Sequence, residues 1–463
     1  MINRLRMQGF KSWQDTGDIR MGKITGFFGA NSSGKTALLQ CLLMLKQTAE
    51  STDRSRVLHT GDERTYVDLG TIFDVIYGHD LPGRLRLELD WTRAKPLRVA
   101  DPEQQPSREL FSAERLAFDA TILCDPDQIA VKEFAYSFAH DGKPYRFGMA
   151  LTENSRAARE STYDLISEGY EFRRERGRAW PLPAPIKSYG FPPQAIGYFQ
   201  NAGFLSEFAL AFEELFGQVY YLGPLREYPH RTYTWAGDRP QDVGRRGELA
   251  VHALLAARRQ GQMISRGRRR RKQTLEERVA QWLQDLDMID GFALRQIAEN
   301  RQEYEVRVRR APKAAEVAIT DVGFGVSQVL PVLVLCYYAP EHSTIILEQP
   351  EIHLHPSVQA GLADVFVDAA KHRKVQIILE SHSEYLLRRL QRRIAEGELE
   401  ARDATLYFAE MSDGASRAQR LELDLFGSIT NWPADFFGDA MGDLVAQAEA
   451  EMRRRGNEQA AAS

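Results

Sequence analysis

Eight consecutive residues near the start of the chain have the composition of a phosphate-binding loop. They fit the pattern G-x-x-x-x-G-K-[ST] in full, between an apolar run that predicts a strand and one that predicts a helix. In such a loop the glycines let backbone N–H groups approach phosphate oxygens, the lysine adds positive charge, and the hydroxyl residue binds Mg²⁺. The sequence therefore predicts a nucleotide site with Mg²⁺ at Gly29, Ala30, Asn31, Ser32, Ser33, Gly34, Lys35 and Thr36.

A second apolar run ends in an acidic residue, as a metal-binding strand would. The segment Thr344–Glu348 reads Thr-Ile-Ile-Leu-Glu, and a buried parallel strand places its last residue at the carboxyl edge of the sheet. Glu348 is therefore the candidate ligand for the Mg²⁺ that accompanies the phosphates. Two interpretations of the nearby His353 and His355 stay open, a zinc-binding imidazole pair or ordinary turn residues. The second is favoured, because the sequence shows no Cys cluster or third ligand beside them.

Two shorter motifs complete the set. Gly323, Gly325 and Ser327 lie just before an apolar run that predicts a helix, and on its own this segment reads as a turn that enters a helix. His382, flanked by two serines, follows another β-like run over residues 375–381. The order along the chain gives these motifs more weight than their composition does.

That order resembles the arrangement in ABC-class ATPases: phosphate loop, signature loop, acidic strand, then switch histidine. Ser327 and Glu348 are 21 residues apart, and Glu348 and His382 are 34 apart, which is normal for the class. More narrowly, the segments QGFKSW, GANSSGKT and EQPEIHLHP look like those of prokaryotic SMC/RecF-like ATPases of the overcoming-lysogenization-defect type. Many of those serve in antiphage defence. The resemblance covers residues 1–50 and 300–430 well and the middle only loosely.

The resemblance implies a head-to-tail dimer with two composite ATP sites. In each site, one copy would hold Mg-ATP and the other copy would cap the γ-phosphate. The resemblance assigns Lys35, Thr36, Glu348 and His382 to the first role and Gly323, Gly325 and Ser327 to the second, with Thr36 and Glu348 as the metal ligands.

One position departs from the ABC-class pattern. In that class the acid after the metal-binding one is the general base for the attacking water, and here Gln349 takes that place. An amide can orient water but cannot accept its proton. Glu351 is an alternative base, or hydrolysis is slow, or Gln349 is normal for this subfamily. The candidate catalytic residues are thus Glu348, Gln349, Glu351 and His382.

The elements that position these residues alternate between strand and helix. After residue 292 the patterns predict strands, a helix near 326–338, a strand over 343–348, a helix near 357–371, a strand over 375–381 and a helix over 383–396. This order implies a parallel α/β sheet. The predicted fold class is an α/β ABC-type P-loop ATPase head with mixed parallel and antiparallel sheets and a β-rich plus helical insertion.

The sequence patterns divide the chain into four predicted parts. Residues 1–50 form the first part of the head and 291–440 the second, with an insertion or lid over 51–290 between them and a terminal helix and frayed tail over 441–463. Within the middle, residues 189–202 are rich in Gly, Pro and aromatic residues and predict a loop. Residues 221–237 group Arg226 and Arg231 with aromatic side chains, as a binding surface or, as we favour, a loop packed on the head.

Composition and charge exclude several classes of protein. Of 463 residues, 43% are hydrophobic and 27% charged, which excludes a wholly disordered chain. A net charge of −4 gives no overall basic signature, and three scattered cysteines favour a reducing compartment. The start lacks a signal-peptide core, and no apolar stretch approaches the ~20 residues that span a bilayer. We therefore expect a cytoplasmic protein without a membrane partner.

Possible partners follow from one local feature and one missing feature. The run from Arg266 to Lys272 holds six basic residues in seven, which reads either as a solvated loop or as a phosphate-contacting loop for nucleic acid. The sequence shows no nuclease motif, so we expect that a separately encoded effector, such as a nuclease or toxin, supplies any cut.

Three functions remain open from the sequence. The first is an ATP-binding, slowly hydrolysing ATPase that acts as the nucleotide-gated sensor or regulatory subunit of a prokaryotic antiphage defence system. The second is a RecF- or SMC-like ATPase of DNA repair or maintenance. The third is a nucleotide-gated scaffold with almost no turnover, which Gln349 makes credible.

Overall fold

A six-stranded sheet, here called the central sheet, carries most of the candidate residues. The computed structural model describes residues 1–100, 109–152, 162–175, 177, 180–267, 270–433 and 445–454. The strands of the central sheet are β4 (Ile24–Gly29), β10 (Val219–Leu222), β17 (Thr344–Glu348), β18 (Gln376–Glu380), β19 (Ala404–Ser412) and β20 (Ala415–Leu421). Their order is β10-β17-β18-β4-β19-β20, and every neighbouring pair is parallel except β19 with β20. The carboxyl ends of five parallel strands therefore meet at one edge.

A second sheet, which is antiparallel, contains strands from residues 2–20 and from residues 83–168. Its strands are β1 (Ile2–Phe10), β2 (Trp13–Asp15), β3 (Ile19–Arg20), β5 (Gly83–Ala100), β6 (Glu109–Cys124), β7 (Ile129–His140), β8 (Lys143–Leu151) and β9 (Tyr163–Glu168). Because β1 pairs with β5, strands on both sides of residue 50 share one sheet. The predicted division at that residue stays a prediction, but the two parts are continuous in hydrogen bonding.

Helices cover both faces of the central sheet. They are α1 (Lys35–Glu50), α2 (Ile72–Val75), α3 (Pro193–Gly197), α4 (Leu205–Gly217), α5 (Ala250–Arg259), α6 (Leu275–Asp285), α7 (Phe324–Tyr338), α8 (Pro356–His372) and α9 (Glu384–Ala395). Alternate residues of β17 enter different cores: Ile345 and Leu347 pack with α5 to α9, whereas Ile346 packs with α1, α4 and the second sheet. Burial on both faces explains why the strand reads as a continuous apolar run.

Short strands between the helices form two small antiparallel sheets. One contains β11 (Tyr233–Thr234), β14 (Gly291–Gln296), β15 (Glu303–Arg309) and β16 (Glu316–Ala318). The other pairs β12 (Met263–Ile264) with β13 (Gln273–Thr274). Together with the central and antiparallel sheets they confirm the predicted fold class, a mixed α/β head with β-rich and helical additions.

The helix and strand predictions for the C-terminal half are confirmed, because each predicted element overlaps α7, β17, α8, β18 or α9. The loop predicted over residues 189–202 is wrong in part, since Pro193 starts the short helix α3 with its fixed φ. Residues 268 and 269 of the basic run and residues 441–444 and 455–463 of the predicted tail lie outside the described residues, whereas 445–454 are helical. None of the described helices is long and apolar enough to cross a membrane.

Candidate active site

The phosphate-binding loop connects β4 to α1 with backbone angles that favour glycine. Gly29 has φ 136°, and a Cβ there would lie 2.0 Å from the carbonyl oxygen of Ala409 on β19. Gly34, the N-cap of α1, has φ 87° and no side-chain cap. Because Gly34 has no side chain to cap them, the first N–H groups of α1 can bind an anion.

Lys35 lies folded back into this loop. Its Nζ donates to the carbonyl oxygens of Gly29 (3.2 Å) and Ala30 (2.6 Å) and to Ser33 Oγ (3.3 Å). The side chain is only 2% exposed, and burial lowers the pKa of Lys35, an effect that Glu380 and Glu351 oppose. The lysine therefore brings a buried positive charge to the loop without a direct ion pair among the described residues.

The residues of the phosphate-binding loop differ in how exposed they are. Ala30, Asn31 and Ser32 are exposed, whereas Ser33 is buried and Thr36 half-buried. The loop is held from outside by a residue that the sequence did not single out. Trp13, a fully buried residue of β2 in the second sheet, donates from its indole Nε1 to the carbonyl oxygen of Gly34 (3.0 Å).

Two carboxylates lie side by side at the edge where the parallel strands end. Glu348 closes β17 and Glu380 closes β18, and the two residues are register partners. Burial, together with the charge of Glu380, raises the pKa of Glu348 to about 7, although the Tyr221 hydroxyl donates a hydrogen bond to this carboxylate. Glu380 is 3% exposed and its Oε2 has no hydrogen-bond partner among the described residues. A buried pair of this kind suits a bound cation.

Glu351 and Gln349 form hydrogen bonds with residues at the end of β18. Glu351 Oε1 accepts hydrogen bonds from Ser381 Oγ and from the backbone N–H of His382, each 2.7 Å long. Burial raises the pKa of Glu351, and its Oε2 has no partner among the described residues. Gln349 has φ 42°, and its backbone N–H donates to the Glu380 carbonyl oxygen (2.9 Å). These bonds tie the ends of β17 and β18 together.

The three candidate histidines separate into one near the loop and two away from it. His382 is half-buried and bonds to the Gly29 backbone, and its pKa is lowered by burial and then by the charge of Lys35. His355 is the N-cap of α8 and its ring nitrogen lies 2.8 Å from Ser357 Oγ, whereas His353 is exposed beside Phe324. No group of three or more metal-ligating side chains of the His, Cys, Asp or Glu type occurs in the described ranges. His353 and His355 thus look like turn and capping residues.

The signature-like segment starts α7, and the structure does not show a contact between it and the phosphate-binding loop. Ser327 is 7% exposed, and its Oγ donates to the Phe324 carbonyl oxygen (2.7 Å). Gly323 faces open space, since a Cβ there would meet no atom within 4 Å. Phe324, 39% exposed, contacts the rings of Tyr228 and His353. The start of α7 therefore presents an accessible aromatic face.

Sequence reasoning missed Glu380 and gave Arg226 no role in the site. The signal for Glu380 was present, because β18 reads Gln-Ile-Ile-Leu-Glu, almost the same as β17. Arg226 follows β10, is 5% exposed, and interacts electrostatically with Glu348 and Glu351. The sequence grouped Arg226 with aromatic residues over 221–237 as a binding surface or a packed loop, but no local pattern places it beside Glu348.

Two family models match the sequence. The model described as "AAA domain, putative AbiEii toxin, Type IV TA system" matches residues 24–388, from β4 into α9. The model described as "Protein of unknown function (DUF3696)" matches residues 399–447. No curated protein matches the sequence.

Similar solved structures include three SMC head domains. One, from Thermotoga maritima, has 12% identity and a TM-score of 0.41, covering 91% of this chain and 99% of that chain. A second, an SMC head bound to the C-terminal winged-helix domain of ScpA, has 14% identity and a TM-score of 0.43 over 91% and 98%. A third, with an extended coiled coil and bound to the C-terminal domain of ScpA derived from Pyrococcus furiosus, has 12% identity and a TM-score of 0.44 over 91% and 96%.

Proposed function

This chain belongs to the AAA-domain family whose model spans residues 24–388, and on that premise we propose that it binds and slowly hydrolyses ATP with Mg²⁺. One observation carries the proposal: a complete phosphate-binding loop and two buried carboxylates lie at the same edge of the central sheet. Titration of labelled ATP with Mg²⁺ and release of inorganic phosphate test it. A folded chain that neither binds ATP nor releases phosphate would contradict it.

The residues present fit this ligand. The loop from Gly29 to Gly34 would bind the phosphates through backbone N–H groups, with Lys35 supplying charge. Thr36 and Glu348 would hold Mg²⁺, which would neutralise the phosphate charge. Because Mg²⁺ keeps several water and phosphate ligands, a protein contribution of one or two side chains is enough. The cation would also offset the burial and the neighbouring charge of Glu380, which together raise the pKa of Glu348.

The base for the attacking water is the least conventional part of the site, and we assign it to Glu380. Gln349 has no basic oxygen, and Glu351 Oε1 already accepts two hydrogen bonds that hold Ser381 and His382. The Oε2 atoms of Glu351 and Glu380 both lack a hydrogen-bond partner among the described residues, but Glu380 is the register partner of the proposed metal ligand Glu348. Turnover should be slow, because an amide, Gln349, occupies the position after Glu348 where the resemblance places the general base. His382, which bonds to the Gly29 backbone, would orient the phosphate end of the site.

We also propose that two copies associate head to tail when ATP is bound, with Gly323, Gly325 and Ser327 of one copy completing the site of the other. The accessible start of α7 supports this, because Gly323 is open and Phe324 is exposed. Ser327 would have to exchange its present bond with the Phe324 carbonyl oxygen for one with the incoming phosphate.

Mixing two inactive variants should restore part of the ATPase activity. Lys35→Ala removes the phosphate-binding lysine, and Gly323→Arg blocks the open start of α7 without an internal clash. A mixed dimer of these chains contains one intact composite site, so activity above that of either variant is expected in a phosphate-release assay. The matched control is Gly203→Arg, since Gly203 is also exposed and open but lies just before α4. Proven mixed dimers without any recovered activity would rule out the trans arrangement.

The cellular role that we propose is that of the cytoplasmic sensor or regulatory subunit of a prokaryotic antiphage defence system, with a separate effector such as a nuclease or toxin. Support comes from the motif resemblance and from the family description, which names a toxin of a type IV toxin–antitoxin system. Neighbouring genes provide the test. A nuclease or toxin gene beside this one would support the role, whereas repair genes would favour the RecF- or SMC-like alternative.

Nucleic-acid binding through the basic run is a separate proposal with its own test. Arg270, Arg271 and Lys272 are exposed, as a phosphate-contacting loop requires. Changing Arg270 and Arg271 to Gln should weaken DNA or RNA binding and make the salt dependence shallower, by about 0.9 in log–log slope for each phosphate that the chain no longer neutralises. Arg402→Gln serves as control, because Arg402 is equally exposed but pairs with Glu400. An unchanged slope would mean that the run is only a solvated loop.

A further inference from the structure

Arg226 is a buried cation with every donor unused. It lies four residues after β10, whose last residue Leu222 is the register partner of Leu347 on β17, so the chain leaves the sheet beside Glu348. The side chain is 5% exposed, and its Nε, Nη1 and Nη2 have no hydrogen-bond partner among the described residues. A guanidinium in this state has lost its hydration without gaining an acceptor, which is costly unless a ligand supplies one.

Other buried arginines of this chain are paired. Arg278 forms an ion pair with Asp368 and stacks on Trp282, and Arg373 forms one with Glu341. Arg226 therefore differs from the pattern that the same fold uses elsewhere for a structural arginine. Burial lowers the pKa of Arg226 to about 10, so the group still carries its charge at neutral pH.

The electrostatic neighbours of Arg226 include two carboxylates of the candidate site. The guanidinium senses the charges of Glu348 and Glu351, and Lys35 senses Glu351 as well. The two cations thus share Glu351 as a neighbour, although neither forms an ion pair with it among the described residues. An anion that entered between them would meet one cation from the phosphate-binding loop and another from the loop after β10.

We propose that Arg226 binds the terminal phosphate of ATP and so makes the site selective for the triphosphate. This step rests on the proposed function above and extends it to a residue outside the sequence motifs. A guanidinium presents a planar fork of N–H donors that matches phosphate oxygens. Glu348 and Glu351 form no hydrogen bond with these donors, so the donors are available to a phosphate. ADP has no oxygen in that position, so Arg226 contributes to the binding of ATP and not of ADP.

The test compares ATP with ADP on the full chain. Labelled ATP and ADP, each with Mg²⁺, are titrated into the parent, Arg226→Gln and Arg226→Lys. A hydrogen-bonded charged group of this kind predicts that Arg226→Gln loses about 10- to 100-fold in ATP affinity while ADP affinity stays at the parent value. Arg226→Lys should fall in between, because the charge remains but the fork is lost. Arg231→Gln is the matched control, since Arg231 lies in the same loop but is exposed and pairs with Asp321.

Thermal unfolding without nucleotide separates this role from a structural one. A ligand-binding arginine that is unpaired in the empty protein predicts an unchanged or higher melting temperature for Arg226→Gln. A lower melting temperature, failure of the variant to fold, or equal losses of ATP and ADP affinity would overturn the proposal and make Arg226 a counter-ion of Glu348 and Glu351. If the parent binds neither nucleotide, the proposed function itself fails, and that result is distinct from the others.

Discussion

Replacing Lys35 with alanine is expected to remove most ATP binding and hydrolysis. The ammonium group is the buried charge of the phosphate-binding loop, and among the described residues it bonds to Gly29, Ala30 and Ser33 of that loop. Loss of a charge-assisted hydrogen bond predicts a fall of about 10- to 100-fold in ATP affinity. Loss of a group that faces developing charge predicts a further fall of ~10²–10³-fold in turnover. Titration of labelled ATP and steady-state phosphate release measure the two effects.

Two further variants keep this experiment decisive. Lys23→Ala is the matched control, because Lys23 precedes β4, pairs with Asp403 and lies outside the loop. Lys35→Met retains much of the side-chain volume and should lose ATP binding to a similar extent if charge is the cause. Circular dichroism shows whether the variants are folded. Unchanged ATP affinity in a folded Lys35→Ala chain would refute the assignment of the site.

Local sequence patterns predicted the elements that carry the site because those elements are determined locally. The loop before α1 has both its glycines and its flanking strand and helix within about two dozen residues of sequence. The strand that ends in Glu348 is apolar throughout because both its faces are buried, and this pattern also predicts its place in a parallel sheet. Residues in such segments can be assigned before the structure is known.

Contacts between distant parts of the chain could not be predicted in this way. The pairing of β1 with β5 joins residues on either side of the predicted boundary at residue 50, and strand register is not contained in either segment alone. In the same way, Trp13 reaches the carbonyl oxygen of Gly34 only because β2 lies beside the loop. Arg226 is a site candidate only because β10 happens to be the neighbour of β17.

The place of Glu380, the proposed general base, could not be predicted from local sequence either. Its strand ends in the same way as the strand of Glu348, but 32 positions separate the two residues in the chain. Only the register of β17 with β18 shows that their carboxylates are neighbours. Sequence reasoning therefore looked for the missing base along the strand of Glu348, at Gln349 and Glu351, and not on the next strand.

Changing Glu380 to glutamine is expected to stop hydrolysis while ATP binding continues. The amide has nearly the same shape as the carboxylate but cannot accept the proton of the attacking water. General-base assistance is worth ~10²–10⁴-fold, and the phosphate-release rate should fall by that amount. If Glu348 and not Glu380 holds the ion, as we propose, the dependence of the remaining rate on Mg²⁺ concentration should not change. A rate that recovers at high Mg²⁺ would make Glu380 a metal ligand instead.

The neighbouring residues allow the base to be located by comparison. Glu351→Gln keeps a carbonyl oxygen that can accept from Ser381 Oγ and the His382 N–H, so it should cost little. In the Glu380→Gln background, Gln349→Glu should restore part of the rate. The backbone N–H of Gln349 donates a hydrogen bond to the Glu380 carbonyl oxygen, so a carboxylate at position 349 places a new base close to the lost one. If Glu351→Gln abolishes hydrolysis and Glu380→Gln does not, then Glu351 is the base. If neither change matters and Gln349→Glu alone raises the rate, the natural site works without a base, and a long-lived ATP-bound dimer follows.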